Sequence, residues 1–478
     1  MNGKRQIMLI FIAISFLTLG SIIVYFAVKP PGPEPSKKCG DGMCGGEENW
    51  KTCPADCGKP GTTPVNTPAV SGESRFGIHV GRLDLKSKIS ELGNIYSRIN
   101  IGPDAYGWKI AKGDRESIDS CERCCRDPGC ENDCRAGYVY YCEPENREGI
   151  VGKETADGFY AGNYEILFSV SPGSYGLKPK NVQDLLSLDY PANVPLYRDY
   201  IEYLVDKYPR VKYWEVLNEA DNTMFWGDTP ENYARFFTLT SGEIKAHCPE
   251  CRVGVSLVGP NPPDEWFQAI AGICSQAEFL DLHQYHSTTM AELRESEASD
   301  LTPWKESCPG VEIISTETGI PSEPDTQKGN RWELGTSETR QAQDSIRYLT
   351  MMFNAGYSKM YYYLFDVDIF PGMPDMFEHT GLLNEDNSEK EAFASYKLMI
   401  EKLDHFSSIT RLSVGQYKYS FSHKDPVYVL WCDSRTCPIP GEISGTVRVT
   451  DYQGNEETRN AGQITLTGSP VFVESLLV

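Results

Sequence analysis

Positive charge is in short supply in this chain. Its 478 residues carry 45 Lys and Arg against 67 Asp and Glu, a formal net charge of −22. With so little basic surface to meet phosphates, nucleic acid is argued against as a main partner. A polyanionic substrate is argued against on the same ground, and a neutral poly- or oligosaccharide fits more easily. The acidity serves equally to keep a secreted protein soluble. No internal repeat is evident beyond an alternation of strand-like and helical runs. Apolar residues make up 40% and charged residues 23%, so most of the chain reads as globular.

A second absence concerns the N-terminus. Lys4 and Arg5 precede Ile7 to Val28, 22 residues without a charge, and no small-x-small cleavage site follows. A secretory apolar core is about 7–15 residues and a spanning helix about 20. The run therefore reads as an uncleaved signal anchor over residues 1–28, with the leading positive charges inside and the remainder outside the cell. The protein is expected at the cell membrane as a single-pass chain, or secreted if the segment is cleaved.

A Pro-rich spacer, 29–38, leads to Cys39, Cys44, Cys53 and Cys57, four cysteines in a module, 39–57, too small to fold without staples. Two disulfides, disulfides with a structural calcium ion held by Asp41, Glu47, Glu48, Asn49 and Asp56, and a four-cysteine zinc site all remain open. The segment resembles short cysteine-rich modules of extracellular microbial proteins. Residues 58–74, rich in Thr, Pro and Gly, read as a flexible linker.

From residue 75 to 403, strand-like runs alternate with helical ones, the signature of parallel βα units. Eight strands are expected: Phe76–His79, Ile95–Ile101, Ile166–Val170, the run around Trp214, Arg252–Val258, Phe279–Tyr285, Val311–Glu317 and Lys359–Phe365. Eight such units point to an α/β fold, the (β/α)8 or TIM barrel. An insertion at 109–160 carries six cysteines between 121 and 142. None of the seven histidines lies near them, which favours disulfides over zinc there. Cys248 with Cys251, Cys274 with Cys308, and Cys432 with Cys437 are candidate pairs. Residues 404–478 carry short strand patterns, Gly462–Thr467 among them, and are expected to form a small antiparallel β-sandwich covering the barrel.

The chemistry gathers at two strand ends. Trp214-Glu-Val-Leu-Asn-Glu219 closes the fourth strand on Asn218 and Glu219, and the seventh closes on Glu317, 98 positions later. Barrel enzymes collect catalytic groups at the C-terminal ends of strands, and a carboxyl pair is the minimum needed to cleave a glycosidic bond. Glu219 is the expected acid, then base, its pKa raised by an ionised neighbour, and Glu317 the nucleophile. Asn218 is expected to bond the sugar 2-hydroxyl. Glu215 reads as a buried partner to a cation, and Trp214 as core packing.

W-E-x-x-N-E at strand four with a late Glu at strand seven resembles the clan A glycoside hydrolases from Phe76 to about Leu403, and Phe225-Trp226 with Pro230-Glu-Asn-Tyr233 resembles family 39 and related β-glycosidases. The resemblance implies a retaining (β/α)8 enzyme that acts on carbohydrate and needs no cofactor or metal for catalysis. It implies Arg98 supporting the nucleophile, Tyr285 bonding it, and His283 contacting substrate; His79, from its place at the end of strand one, is a further candidate contact to a sugar hydroxyl. Trp226 is left between stacking on sugar and plain packing. Strand eight departs from the clan, reading Tyr361-Tyr-Tyr-Leu-Phe-Asp366 where a Trp is usual. Two alternatives are weaker. A non-catalytic glycan-binding protein on this scaffold usually lacks one carboxylate. A metal-dependent barrel enzyme would leave Asn218 without a role, and no H-x-H follows strand one.

Overall fold

The structure, a computed structural model, describes residues 72–80, 83–103, 150–171, 193–223, 225–285, 300–322, 337–363, 379–384, 386–433 and 437–476. The anchor at 1–28, the 39–57 cysteine module, the cysteine cluster at 121–142, Trp108 and Phe365 lie outside them. Among the described residues, no helix is long and apolar enough to cross a membrane.

Eight parallel strands close a barrel: β1 (Phe76–His79), β2 (Tyr96–Pro103), β3 (Glu165–Val170), β4 (Tyr213–Val216), β5 (Arg252–Leu257), β6 (Phe279–Leu282), β7 (Glu312–Gly319) and β8 (Lys359–Tyr363). Each pairs with the next, and β1 pairs with both β2 and β8, so no edge is left open. A helix follows each strand: α1 (Lys86–Ser90), α2 (Lys153–Ala161), α3 (Asn193–Lys207), α4 (Pro230–His247), α5 (Asp264–Ala271), α6 (Thr302–Ser307), α7 (Glu338–Ala355) and α8 (Glu391–Leu403). A short strand, Ile150–Val151, pairs antiparallel with the end of β2, and Gln284–Tyr285 continues along β7 beyond β6. The expected insertion therefore ends in ordinary barrel structure, because residues 153–160 belong to α2.

Helix boundaries follow local chemistry. Thr229 caps α4 by accepting the Asn232 amide, with Pro230 in the first turn and Lys245 and His247 in the last. Ser337 caps α7 in the same way. Gly356, at φ 119°, ends it in a left-handed turn that closes its last carbonyls.

Inside the barrel, alternate residues of each strand stack in layers. The lower layer is apolar: Tyr96, Leu167, Tyr213, Phe279, Ile314 and Tyr361. Gly77 and Gly254 make room for it, since a Cβ there would lie 2.5 Å from Tyr361 and 2.3 Å from Phe279. The layer above is polar and carries the candidate site. Outward residues, Trp214 among them, pack beneath the helices in the main core.

The C-terminal part corrects one expectation. It forms a single six-stranded antiparallel sheet rather than a two-sheet sandwich. Its strands are β9 (Ser408–Ser413), β10 (Gln416–Ser420), β11 (Val427–Leu430), β12 (Thr446–Asp451), β13 (Glu456–Asn460) and β14 (Val471–Ser475), in the order β9-β10-β11-β14-β12-β13. One face continues the barrel core through Tyr417, Tyr419, Val429 and Phe472. The other buries Leu430, Val447 and Val473 under Ile443, Ala461 and Leu466 from connecting segments, so no second sheet is needed. Residues 462–467, expected as a strand, begin in a short 3-10 turn; the exposed, polar β13 occupies the edge beside β12 instead. Helix α7 lies between barrel and sheet and is buried along most of its length. Tyr419 donates to Thr350 at 3.1 Å, and Arg347 pairs with Asp433 at 3.2 Å. Disulfides join Cys248 to Cys251, Cys274 to Cys308 and Cys432 to Cys437.

Candidate active site

The groups meet at the C-terminal mouth of the barrel because of the strand register. His79 on β1 lies beside Arg98 on β2, Ser169 on β3 beside Glu215 on β4, and Ser256 on β5 beside Asp281 on β6. Just past β4 the backbone leaves the extended region. Leu217 and Glu219 both have positive φ, 69° and 45°, uncommon and strained for residues with a Cβ. The turn is stitched to β5: the Glu219 amide donates to the Ser256 hydroxyl at 3.2 Å, the Ala220 amide to the Ser256 carbonyl at 2.9 Å, and the Val258 amide to Asp221 at 2.8 Å.

Arg98 is fully buried and is the hub. Nη1 donates to Glu317 Oε1 at 2.6 Å, and Nη2 donates to Glu215 Oε1 at 2.5 Å and Asn218 Oδ1 at 2.6 Å. Nε donates a longer bond, 3.2 Å, to Glu215 Oε2. A planar guanidinium spreads its donors over three nitrogens at fixed angles and so reaches three separated partners at once, whereas a lysine concentrates its three donors on one nitrogen. Its grip on the Asn218 oxygen turns that side chain's amide nitrogen away from Arg98.

Glu317 has the most complete set of donors. Tyr285 donates its hydroxyl to Oε2 at 3.1 Å, and His79 Nδ1 lies 3.2 Å from Oε1. Burial would raise its pKa, but His283, His79 and Arg98 more than reverse this and hold the carboxyl well below the usual range. Burial keeps His79 neutral. Its Nδ1–H then serves Glu317, and Nε2 accepts from Asn100 at 3.2 Å.

Glu219 is held at both oxygens, by Asn222 Nδ2 at 2.8 Å and by His283 Nδ1 at 3.0 Å. Burial would lower the His283 pKa, but Asp281, Glu317 and Glu219 carry it far the other way, so the ring is an imidazolium. Its Nε2 faces Asp281 Oδ2 at 3.0 Å. One oxygen of Glu219 and one of Glu317 lie within 4.8 Å of each other, and His283 Nδ1 is 3.0 Å from Glu219 Oε1 and 3.7 Å from Glu317 Oε2. As an imidazolium, His283 gives one N–H to Glu219 and the other to Asp281 and so ties the two carboxyls together.

Of the residues singled out in the sequence, Glu219, Glu317, Asn218, Arg98, Tyr285, His283 and His79 come together here. Trp226 does not join them through any contact described. It is buried, its ring stacked on Phe236 at 5.4 Å between centroids and its N–H given to the Thr229 carbonyl. Asn222 and Thr316 had no assigned role in the sequence and gave no signal of their own. Tyr363, in the strand-eight run that lacks the usual Trp, sits edge-on to His79 with ring centroids 5.2 Å apart. Asp281, two residues before His283, lies on the same face of its strand. Glu215, read as a buried partner to a cation, meets Arg98.

No protein-family description matches the chain, and no curated protein sequence matches it. Solved structures do. A family 39 glycoside hydrolase from the gut symbiont Bacteroides cellulosilyticus WH2 shares 13% identity over 84% of this chain and 80% of its own, with a TM-score of 0.51. A glucosidase from Croceicoccus marinus shares 10% identity over 85% of this chain and 96% of its own, at 0.52. An α-L-arabinofuranosidase from Thermotoga maritima, in an arabinose complex, shares 13% identity over 86% of this chain and 96% of its own, at 0.52. At these identities the likeness establishes the shared fold, a parallel barrel that these glycoside hydrolases also use.

Proposed function

We propose that the protein is a retaining glycoside hydrolase, a β-glycosidase acting on a poly- or oligosaccharide. The observation that carries this reading is the pair Glu219 and Glu317, with oxygens within 4.8 Å. Retaining enzymes hold their carboxyls about 5–5.5 Å apart, and inverting ones about 6.5–9.5 Å. The depressed Glu317 pKa supports the nucleophile's role, because an ionised carboxylate attacks at neutral pH.

In the first step Glu317 attacks the anomeric carbon while protonated Glu219 gives its proton to the departing oxygen. A covalent glycosyl-enzyme forms and the aglycone leaves as an alcohol. In the second step Glu219, now a carboxylate, takes a proton from water, which attacks the anomeric carbon and releases Glu317. Two inversions give net retention. Arg98 and Tyr285 hold Glu317 in line, and the Asn218 amide nitrogen serves the sugar 2-hydroxyl. Tyr363 offers an aromatic wall where the clan usually has Trp. The chain is further proposed to sit at the cell membrane through residues 7–28, with the catalytic part outside.

The test is a screen of the full chain against aryl glycosides and polysaccharides, with Glu219→Ala and Glu317→Ala as controls. Turnover by wild type alone with retained anomeric configuration is expected. Added azide is expected to rescue Glu219→Ala to a retained glycosyl azide and Glu317→Ala to an inverted one. Inversion by wild type, or full activity in either variant, would sink the assignment. Sugar binding without turnover in wild type would mark a glycan-binding protein instead.

A further inference from the structure

Beneath the two reacting carboxyls lies a second pair that the double displacement does not use. Glu215 on β4 and Asp281 on β6 are both fully buried, and Thr316 on β7 stands between them. Thr316 Oγ1 is 2.6 Å from Asp281 Oδ2 and 3.1 Å from Glu215 Oε2, and the Thr316 amide donates to Asp281 Oδ1 at 2.7 Å. A hydroxyl has one proton to give. The shorter contact takes it to Asp281. The longer one then sets a Glu215 oxygen against a hydroxyl lone pair, and a hydrogen bond there needs a proton that Thr316 no longer has.

Glu215 can supply it. Its Oε1 accepts from Arg98 Nη2 at 2.5 Å and from Ser169 at 2.7 Å, as a carbonyl oxygen would; Oε2 accepts one longer bond, from Arg98 Nε at 3.2 Å, and can still carry a hydrogen toward Thr316. Charge balance points the same way. The buried carboxyls of Glu215, Asp281 and Glu317 face two cations, Arg98 and His283, with His79 neutral. Fully ionised, this set would carry one uncompensated buried negative charge, which is costly. A proton on Glu215 removes it. The remaining groups around Glu215 add no charge: Ser169 from β3, Gly254 from β5, and from α4 Tyr233, whose hydroxyl is given to the Val216 carbonyl.

We propose that Glu215 is a positioning residue that works in its protonated form, donating to Thr316 while Thr316 donates to Asp281. Arg98 then keeps its charge for Glu317, and Asp281 keeps its charge for His283 and, through it, Glu219. The positioning role rests on the reading of Glu219 and Glu317 as the reacting pair; the protonation state does not. Burial and the nearby Asp281 raise the Glu215 pKa against the pull of Arg98, to about 7.

The test is infrared difference spectroscopy of the full chain, wild type minus Glu215→Gln, in light and heavy water across neutral pH. The expected difference is the C=O stretch of a protonated carboxylic acid, present on the acid side and lost as pH rises through about 7. A carboxylate alone at about pH 5–6, above the usual glutamate pKa, would overturn the proposal. Asp281→Asn measured against wild type provides the second arm and carries the test if Glu215→Gln does not fold. Without the neighbouring negative charge the acid band should titrate at lower pH, and an unchanged titration would overturn the coupling. Neither arm needs a substrate. Kinetics then test the positioning role: because Gln mimics the protonated acid, kcat of Glu215→Gln below pH 7 should stay within about fivefold of wild type, with its alkaline limb moved up. A loss of about a hundredfold or more in folded protein would mean an obligatory ion pair and overturn the proposal. If wild type turns over no glycoside, the functional reading fails while the spectral result stands.

Discussion

Replacing Arg98 with Lys keeps the charge and removes the fork. Arg98 serves three acceptors, Glu317 on β7 at 2.6 Å, Glu215 on β4 at 2.5 Å and Asn218 just past β4 at 2.6 Å. The lysine nitrogen sits at the end of a flexible stem and can replace one of these contacts with good geometry, leaving two lost. Hydrogen bonds to charged groups contribute about 1.5–3 kcal/mol each, so about 3–6 kcal/mol of interaction disappears. In part this appears as lost stability, because acceptors around a fully buried cation lose their donors; removing a partner from a buried pair costs about 3–5 kcal/mol. In part it appears in the chemistry. Asn218 loses the partner that orients it, and the Glu317 pKa rises as Arg98, one of its four cationic or donor neighbours beside His283, His79 and Tyr285, withdraws. Arg98 itself is fully buried below the Glu219–Glu317 pair, so the loss is expected to fall on kcat more than on KM. A drop of about 10²–10³ in kcat/KM corresponds to about 2.7–4.1 kcal/mol. Denaturant midpoints at constant m-value and steady-state kinetics on an aryl glycoside read the two effects separately. An Arg98→Lys variant within about 0.5 kcal/mol of wild-type stability and threefold of its kcat would refute the idea that one guanidinium organises the cluster.

Tyr285→Phe removes one donor from Glu317 without changing shape; kcat is expected to fall about 10–100-fold with KM nearly constant, from a lost bond of about 1.5–3 kcal/mol, and an unchanged kcat would show that the 3.1 Å contact is idle. Trp226→Ala is expected to cost about 3–5 kcal/mol in unfolding free energy and leave KM within twofold, as befits packing; a large rise in KM at normal stability would restore it to the sugar site. Stability should also depend on pH through His283. Its folded pKa is raised, so between the unfolded value of about 6.5 and the folded one the native state holds the extra proton, and stability falls as pH rises through that window. Thermal melts of wild type should therefore decline above neutrality with a slope that His283→Gln lacks; equal slopes would place the proton elsewhere.

The barrel was readable because its strands are short β-branched and aromatic runs set between helical ones, and because Glu219 and Glu317 fall where those runs stop. Phe76–His79 needed no adjustment, and the Ile95–Ile101 reading shifted to Tyr96–Pro103. The polar layer was only half readable. Alternation in Asp281-Leu-His283 points both polar side chains inward, but that Thr316 bridges Asp281 and Glu215 depends on how three distant strands align. Asn222 reaches Glu219 because a left-handed turn brings it there, and nothing in the local residue pattern required that turn. The C-terminal sheet was misread for a physical reason. Gly462–Thr467 alternates like a strand because Ile464 and Leu466 cap an apolar face, whereas the true edge strand, Glu456–Asn460, is charged and exposed and carries no hydrophobic pattern.

The position of α7 has a consequence for how the protein is made. Synthesis proceeds from the N-terminus, and early domains usually fold as they emerge. Here α7 lies between the barrel and the C-terminal sheet, so one side of it waits for residues not yet translated. Strand β14, Val471–Ser475, is inserted between β11 and β12 and pairs Phe472 with Val429. Until it arrives, β11 and β12 have no neighbour between them. A nascent chain stalled before that strand would present the apolar side of a nearly complete barrel to chaperones. Quality control would then read the completion of this sheet, not of the polar cluster at the barrel mouth, as the mark of a finished molecule.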